Sequence, residues 1–342
     1  MKRQIKHPGE TKSEVLKVIP RACVDETAAV AFMEKQRWGD TPRCPHCPHC
    51  DSTEVVMVMD ESGQRRSKRF LWRCHHCKRQ FTVRIGTIME ESRIPLRFWC
   101  WAFWSACASK KGVSALQISR ECSISYKSAL FLMHRIRWAM ATPKPDEKFK
   151  GTVEVDETYV GGKPRNRHTS KPGRGTKKTP VVAIVERLGR IRTRVVPNVT
   201  AKTLKREMDA AIDPSARLCT DELNTYRGIG RKYVGGHGSV MHSAGEYVNG
   251  TDHVNTCESF FALLKRGIYG TFHAVSRKHL HRYVSEFEFR WSTRRLNDGE
   301  RVWAAITAGE GKRLMYRQPV KKELPESKSA RDIPGQPLLW QE

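Results

Sequence analysis

Two cysteine motifs near the N-terminus place the strongest constraint on how this chain can fold. The segments CPHCPHC and CHHC flank a stretch with the pattern of two strands around a polar turn at 61–64. Two C-x-x-C knuckles joined by a hairpin can present four thiolates tetrahedrally, as a structural zinc ion requires. The sequence therefore predicts a zinc ribbon, and its candidate ligands are Cys44, Cys47, Cys50, Cys74 and Cys77.

The first motif holds one cysteine more than a four-coordinate ion can use. Its knuckle is either Cys44 with Cys47 or Cys47 with Cys50. The residue after the second ligand usually offers a backbone N–H to the sulfur, and Pro48 has none, whereas Asp51 has one. We favour a Zn²⁺ site with Cys44 as the alternative and with these four ligands: Cys47, Cys50, Cys74 and Cys77.

The charge of the chain favours a nucleic-acid partner. It has 62 Lys and Arg against 36 Asp and Glu, a formal net charge of +26, which is the electrostatic footprint of a protein that neutralises phosphates.

The longest apolar run, Phe98–Ala108, is shorter than the roughly 20 residues of a membrane-spanning helix. The N-terminus shows no hydrophobic secretory signal. We therefore expect a cytoplasmic protein without a membrane partner.

A basic helical segment follows the cysteines. SALQISRECSISYKSALFLMHRIRWAM contains a capping pattern at Ser114, a short turn, and Ser125 before a second helix. This is a helix-turn-helix pattern. Its second helix would carry donors suited to phosphate and base-edge contacts in double-stranded DNA, the candidates being Lys127, His134, Arg135 and Arg137. The alternative is a helical hairpin whose basic face is only solvated.

Carboxylates at the ends of separate elements suggest a metal site. GTVEVDETYVGG predicts a strand ending near Asp156, with Val153 and Val155 on one face and the acidic residues on the other. A later short apolar strand runs into Asp221, and a predicted helix begins near Glu258. The order of three strands, helix, strand and further helix fits an RNase H-like α/β sheet, which would place the two aspartates side by side.

Three such carboxylates suit a pair of Mg²⁺ ions, or Mn²⁺ in their place, since hard cations prefer oxygen ligands. Two ions roughly 4 Å apart can activate an attacking oxygen and stabilise a leaving 3′ oxygen at phosphorus. Other carboxylates compete for the role: Glu154 or Glu157 with Asp156, and Glu222 with Asp221.

The same motifs resemble a known family. VEVDETYVGGK, TDELNTY and HVNTCESFFALLKRGIYGTFHAVSRKHLHRYVSEFEFRWSTR, together with the cysteine region and GTIMEESRIPLRFW, are similar to bacterial insertion-sequence DDE transposases with an N-terminal zinc ribbon. The resemblance covers about 38–295. It implies an RNase H-like catalytic domain of the integrase superfamily and an acidic triad of Asp156, Asp221 and Glu258. It further implies a DNA contact by Lys265, a role for Asn255 at the metal site or in DNA contact, and a location at the bacterial nucleoid.

This reading divides the chain into four regions: 1–90 with the zinc ribbon, 91–145 with the helix-turn-helix, 150–296 with the DDE catalytic domain, and 297–342 as a basic, flexible tail. Lys163–Lys178 is a basic insertion without acids, expected to be a mobile loop that meets DNA.

The function expected is that of a transposase which binds terminal inverted repeats, cleaves the element ends and transfers them to target DNA as a homodimer or larger assembly. The rivals are a structure-selective nuclease on the same fold and a DNA-binding regulator or domesticated transposase without strand transfer.

Overall fold

The structure, a computed structural model, describes residues 14–46, 52–141, 147–161, 178–246 and 248–315. Its helices are α1 Glu14–Ala22, α2 Glu26–Trp38, α3 Leu96–Ala108, α4 Ala115–Glu121, α5 Tyr126–Met140, α6 Ala201–Ala211, α7 Asn224–Gly230, α8 Asn255–Gly267, α9 Leu280–Ser292 and α10 Asp298–Thr307. Its strands are β1 Val55–Met57, β2 Trp72–Cys74, β3 Gln80–Phe81, β4 Thr152–Val160, β5 Thr179–Glu186, β6 Ile191–Val195, β7 Arg217–Thr220 and β8 His237–Ser239. Within these ranges no helix is both long and apolar enough to cross a membrane.

The cysteine region forms a small antiparallel sheet in the order β1-β2-β3. Trp38, at the end of α2, packs edge-on against Trp72 and Phe81 of this sheet, with ring centroids 6.3 and 5.9 Å apart. Glu34 of α2 accepts hydrogen bonds from the Trp72 indole at 2.7 Å and from both terminal nitrogens of Arg66. The ribbon is therefore fastened to the helices that precede it.

The helix-turn-helix segment forms as its caps predict. Ser114 accepts from the Gln117 amide at 3.1 Å to begin α4, and Ser125 accepts from the Ser128 amide at 3.2 Å to begin α5. Helices α1 to α5 and α10 share one apolar core, with Trp99, Phe103 and Met133 fully buried. Residues on both sides of the expected boundary at 90 thus build a single helical unit.

Helix α10 corrects the expectation of a flexible tail from 297 onward. Asn297 and Glu300 form a reciprocal capping box, and Val302, Ala305 and Ile306 are buried against the helical core. A capped amphipathic helix with a core to cover is stable in this setting. Residues 316–342 lie outside the described part of the chain.

The larger sheet has five strands in the order β6-β5-β4-β7-β8. The first three are antiparallel, and β4, β7 and β8 are parallel. This is the mixed sheet of an RNase H-like α/β fold. The strand predicted to end near Asp156 continues to Val160 because β5 pairs with it along its whole length.

Helices cover both faces of this sheet. Val153 and Val155 of β4 face α6 and α7 in one apolar core, whereas Val160 faces α8 and α9 in another. The alternation of side chains along β4 matches the sequence prediction, with Glu154 and Asp156 on the side of α8.

A buried ion network joins the two units. Glu286 of α9 is fully buried and pairs with Arg137 of α5 at 2.5 Å and with Arg290 at 2.6 Å. Burial alone raises the pKa of Glu286, but the charges of Arg290 and Arg137 outweigh it and hold that pKa below its usual value. Arg290 also donates to the carbonyl of Ser109, after α3, at 3.0 Å.

We expect Glu286→Gln to lower the free energy of unfolding by about 3–5 kcal/mol, because two buried guanidinium groups lose their compensating charge. Chemical denaturation of the purified protein measures the effect. The matched control is Asp298→Asn, which removes a partly exposed ion pair with Arg301 and should cost less than about 1 kcal/mol. Equal losses in the two variants would contradict this assignment.

Candidate active site

Strand pairing brings the two aspartates of the predicted triad together. Val155 and Thr220 are the last paired residues of the parallel strands β4 and β7. The residues that follow them, Asp156 and Asp221, therefore lie at the same height along the two strands. Asp221 directly follows β7 and accepts from the Leu223 amide at 3.1 Å. Asp156 accepts from the Glu157 amide at 2.7 Å.

The third carboxylate reaches this place from α8. Glu258 lies in the first turn of the helix, and its side chain is 45% exposed with Oε1 3.7 Å from Nδ1 of His242. Burial, together with the charges of Asp221, Glu157 and Glu258, raises the pKa of Asp156 to about 8. The acidic groups therefore act on one another electrostatically.

This electrostatic repulsion fits a divalent cation. A buried carboxyl whose ionised form is disfavoured by its acidic neighbours gains most when a cation neutralises the group. In the described ranges, Asp156, Asp221 and Glu258 do not bring one oxygen from each carboxylate within 4.8 Å of the other two.

The competing glutamates have other partners. Glu154 is fully buried and accepts from Arg187 and from the first turn of α8. Glu157 accepts from the Tyr226 hydroxyl at 2.8 Å, on the opposite face of the strand. Glu222 accepts from the Ser243 amide at 3.2 Å and from its hydroxyl at 2.7 Å. These contacts hold the three glutamates in structural roles, so Asp156 and Asp221 remain the stronger candidates for metal ligands.

Three of the predicted DNA-contacting residues lie on the surface. Asn255 is the exposed first residue of α8, and Lys265 is exposed two turns after Glu258 on the same helix. Lys127 is exposed in the first turn of α5. All three side chains are positioned where a phosphate can reach them.

Arg135 and Arg137 are not surface residues, which corrects their prediction as DNA contacts. Arg135 is 5% exposed and donates to the carbonyl oxygens of Ile88 and Glu90 at 2.8 and 2.7 Å. Arg137 is 1% exposed and belongs to the network around Glu286. Their guanidinium groups serve internal contacts and cannot also bind DNA in this arrangement.

The ribbon assembles a cysteine group. The sulfurs of Cys44, Cys74 and Cys77 lie within 4.8 Å of one another, with 3.6 Å between those of Cys44 and Cys77. Burial raises the pKa of Cys74, but hydrogen bonds from the amides of Cys77 and His76 and from both neighbouring thiols lower it to about 6. A thiolate is thus favoured, as metal binding requires. Cys47 and Cys50 lie outside the described residues.

Some residues around the site have no signature in the sequence. Arg187 directly follows β5, in a segment whose sequence indicates only a hairpin turn. His242 lies in a short 3₁₀ turn. Thr256 was recognisable only as a residue of the α8 motif. Their contacts join segments far apart in the chain, so no local pattern marks them.

Comparison with known proteins gives two domain matches. Residues 24–80 match a transposase zinc-ribbon domain, and residues 148–292 match an ISXO2-like transposase domain. An uncharacterized protein in transposable element ISH50 of Halobacterium salinarum is 29% identical over 281 residues, which is 78% of this chain and 91% of that protein.

Solved structures give only a weak likeness. The Mos1 strand transfer complex is 14% identical over 59% of this chain and 75% of its own, and the pre-cleavage Mos1 transpososome is 12% identical over 90% and 99%. The TM-score is 0.25 in both cases. The strand order of the sheet, together with the domain match, defines the fold.

Replacing Asp156 with Asn should remove a pH dependence of stability. The pKa of this carboxyl is about 8 in the folded protein and about 3.9 in an unfolded chain. The stability it contributes is therefore fully present below about pH 4 and is lost as the pH rises through about 8. Without added Mg²⁺ or Mn²⁺, the native protein should lose stability between about pH 5 and about pH 8 by more than Asp156→Asn does.

Denaturation of the zinc-loaded proteins across this pH range measures the difference. Asp213→Asn, in an exposed turn at the opposite end of β4, is the control and should keep the native decline. The same decline in Asp156→Asn would contradict the raised pKa.

Proposed function

We propose that the chain is an insertion-sequence transposase, like the proteins whose zinc-ribbon and ISXO2-like transposase domains it matches, and that it carries out a two-step DNA reaction. The protein binds the terminal inverted repeats of its own element, cleaves the DNA strands at the element ends and transfers them to target DNA. The observation that supports the proposal is the placement of Asp156 and Asp221 after paired residues of neighbouring strands, where the charge of Glu258 also acts on Asp156.

We assign the catalytic metal site to these three carboxylates. Their oxygens suit Mg²⁺ or Mn²⁺, and the raised pKa of Asp156 is the expected mark of a site completed by a cation. When bound, a pair of such ions supplies Lewis acidity at both the attacking and the leaving oxygen of an in-line displacement at phosphorus.

The chemistry has two displacements. In the first, water attacks the phosphorus at the element end, the P–O3′ bond breaks, and the leaving oxygen takes a proton to become a 3′-hydroxyl. In the second, that hydroxyl gives up its proton and attacks a phosphodiester of target DNA, whose own 3′ oxygen leaves. One phosphodiester replaces another, so no high-energy cofactor is needed.

Exposed side chains bind the substrate in this proposal. Lys265 and Asn255, on the same helix as Glu258, contact DNA near the reacting phosphate, and Lys127 contacts DNA from α5. The net charge of +26 adds affinity for double-stranded DNA at both the element ends and the target. Two ends must be held together, so the active form is a homodimer or larger assembly, located at the nucleoid.

We assign a structural Zn²⁺ to the ribbon. Cys44, Cys74 and Cys77 are three of its ligands, and the remaining one is Cys47 or Cys50. The low pKa of Cys74 fits a deprotonated ligand. A shell closed by four cysteines gives this ion a structural role without an open position for substrate.

Cleavage and joining of a DNA fragment that carries the gene's own flanks test the reaction. The native protein with Mg²⁺ should give both products. Asp221→Asn should lose both, by about a thousandfold or more if each displacement depends on the two-ion site, while still binding the fragment. Asp213→Asn is the matched control and should retain both products, because this carboxylate lies beside the start of β4, at the end opposite to Asp156.

Other outcomes separate the rival functions. Cleavage without joining would instead indicate a structure-selective nuclease. Tight binding of the flanks with neither product, in native protein shown to be folded, would indicate a DNA-binding regulator or domesticated transposase.

Metal analysis of cysteine variants tests the ribbon. We expect native protein to bind about one zinc per chain, as a single four-ligand site requires, and Cys44→Ser to lose most of it. Cys23→Ser replaces a half-buried thiol outside the group and should keep the full content. Full zinc content in Cys44→Ser would show that Cys47 and Cys50 form the first knuckle together.

A further inference from the structure

The helix that carries Glu258 has an unusual N-terminus. Its N-cap residue, Val254, provides no side-chain hydrogen bond to the first turn, although the first amides of a helix need acceptors. The acceptor comes from the sheet instead. Oε2 of Glu154 accepts from the amides of Thr256 at 2.8 Å and Cys257 at 3.3 Å. A carboxylate from β4 thus does the work of a helix cap.

The other oxygen of Glu154 is equally well bound. Oε1 accepts from the Thr256 hydroxyl at 2.8 Å and from Nε of Arg187 at 2.8 Å, and Nδ1 of His253 lies 3.3 Å away. The side chain has no exposed surface. A buried carboxylate costs free energy unless charge and hydrogen bonds compensate it, and here both oxygens are compensated.

Arg187 extends the contact to the segment before α8. Its Nη1 donates to the carbonyl of Thr251 at 2.8 Å, and its Nη2 donates to that of His253 at 3.2 Å. Asp252 in the same segment pairs with Arg217 of β7 at 2.8 Å. The approach to α8 is therefore tied to both strands that carry the catalytic aspartates.

The geometry on β4 links this cap to the reacting centre. Glu154 and Asp156 are two residues apart on one strand, so their side chains lie on the same face. Thr256 and Glu258 are two residues apart in the first turn of α8. A displacement of the helix at Thr256 would hence displace Glu258 relative to Asp156 by a similar amount.

We propose that Glu154 is a positioning residue that fixes Glu258 against Asp156 and Asp221 and thereby sets the affinity of the site for divalent cations. It acts through α8 and does not ligate metal. The inference rests on the proposed function for its biological meaning. Its test measures the affinity for Mn²⁺ and the hydrogen exchange of the first turn of α8, in addition to activity.

The experiment compares Glu154→Gln with a matched variant, Glu288→Gln. Glu288 is also a buried glutamate, and it accepts from the amide and hydroxyl of one threonine, Thr193, at 2.9 and 2.6 Å. Glu288 lies on α9 and Thr193 on β6, and neither element carries one of the three carboxylates. Both variants remove the same kind of contact, so loss of stability alone should affect them alike.

Calorimetric titration of the zinc-loaded proteins with Mn²⁺ is the first measurement. We expect Glu154→Gln to weaken Mn²⁺ binding about ten- to a hundredfold, the usual effect of losing a group that orients a ligand, and Glu288→Gln to leave it unchanged. Hydrogen exchange at the amides of Thr256 and Cys257 should accelerate in Glu154→Gln only. Native Mn²⁺ affinity in folded Glu154→Gln would overturn the proposal.

A second substitution separates positioning from direct ligation. In a Glu258→Gln background, Glu154→Gln should weaken Mn²⁺ binding no further, because the ligand it positions is already gone. A further tenfold loss or more would mean that Glu154 acts on the metal itself, and the proposal would fall.

Thr256 supplies a milder test should Glu154→Gln fail to fold. Thr256→Val removes only the hydroxyl donor and should weaken Mn²⁺ binding, whereas Thr256→Ser retains the hydroxyl and should restore it. Equal affinities in the two variants would overturn the proposal.

Failure of the proposed function gives a different pattern. If native protein binds Mn²⁺ through Asp156 but neither cuts nor joins DNA, the transposition chemistry fails while the Mn²⁺ comparison still decides the role of Glu154. If native protein binds no Mn²⁺ at Asp156, both proposals fall.

Discussion

The alternation of side chains along β4 is the constraint on which the catalytic unit depends. This strand is central in the sheet and is covered on both faces, so it must supply apolar side chains to two cores. Only a few positions remain for acidic residues, and each of them needs a compensating partner. Glu154 pairs with Arg187 and binds the first turn of α8, and Glu157 accepts a hydrogen bond from Tyr226. The charged groups that act on Asp156 are acidic. A bound cation would compensate the charge of Asp156, the acidic residue of β4 that has neither an arginine nor a tyrosine partner among these contacts.

The ion network around Glu286 imposes a second constraint. It joins α5, which displays Lys127, to α9, which packs against α8 and β6. Buried pairs of this kind contribute little net stability over an apolar core, but they penalise any separation of their members. The helix-turn-helix segment and the carboxylate site therefore belong to one packed body. DNA bound along α5 would have a fixed orientation relative to Asp156, as positioning a phosphate for in-line attack requires.

Sequence patterns predicted those features that local spacing determines. The faces of β4, the caps of α4 and α5 and the adjacent strand ends of Asp156 and Asp221 all follow from periodicity and capping rules. The patterns could not distinguish a solvated arginine from a buried one, because the partner of Arg137 lies 149 residues further along the chain. The missing N–H of Pro48 favours Cys47 and Cys50 over Cys44 as zinc ligands, yet folding brings the sulfur of Cys44 to within 3.6 Å of that of Cys77. Helix α10 was missed because its stability comes from a distant core.

The two Asp-Glu pairs, 156–157 and 221–222, show how one acidic motif can serve two purposes. In each pair the glutamate hydrogen-bonds the surrounding fold, and the preceding aspartate faces the other carboxylates. Glutamate has one more methylene than aspartate, so it can reach a partner away from the strand end, while the shorter side chain stays close to the backbone. The hydrogen bonds of the glutamates thus tie the backbone beside each aspartate to the surrounding fold. The same division of roles extends to Glu154 and Glu258, where one glutamate anchors a helix so that another can face the site.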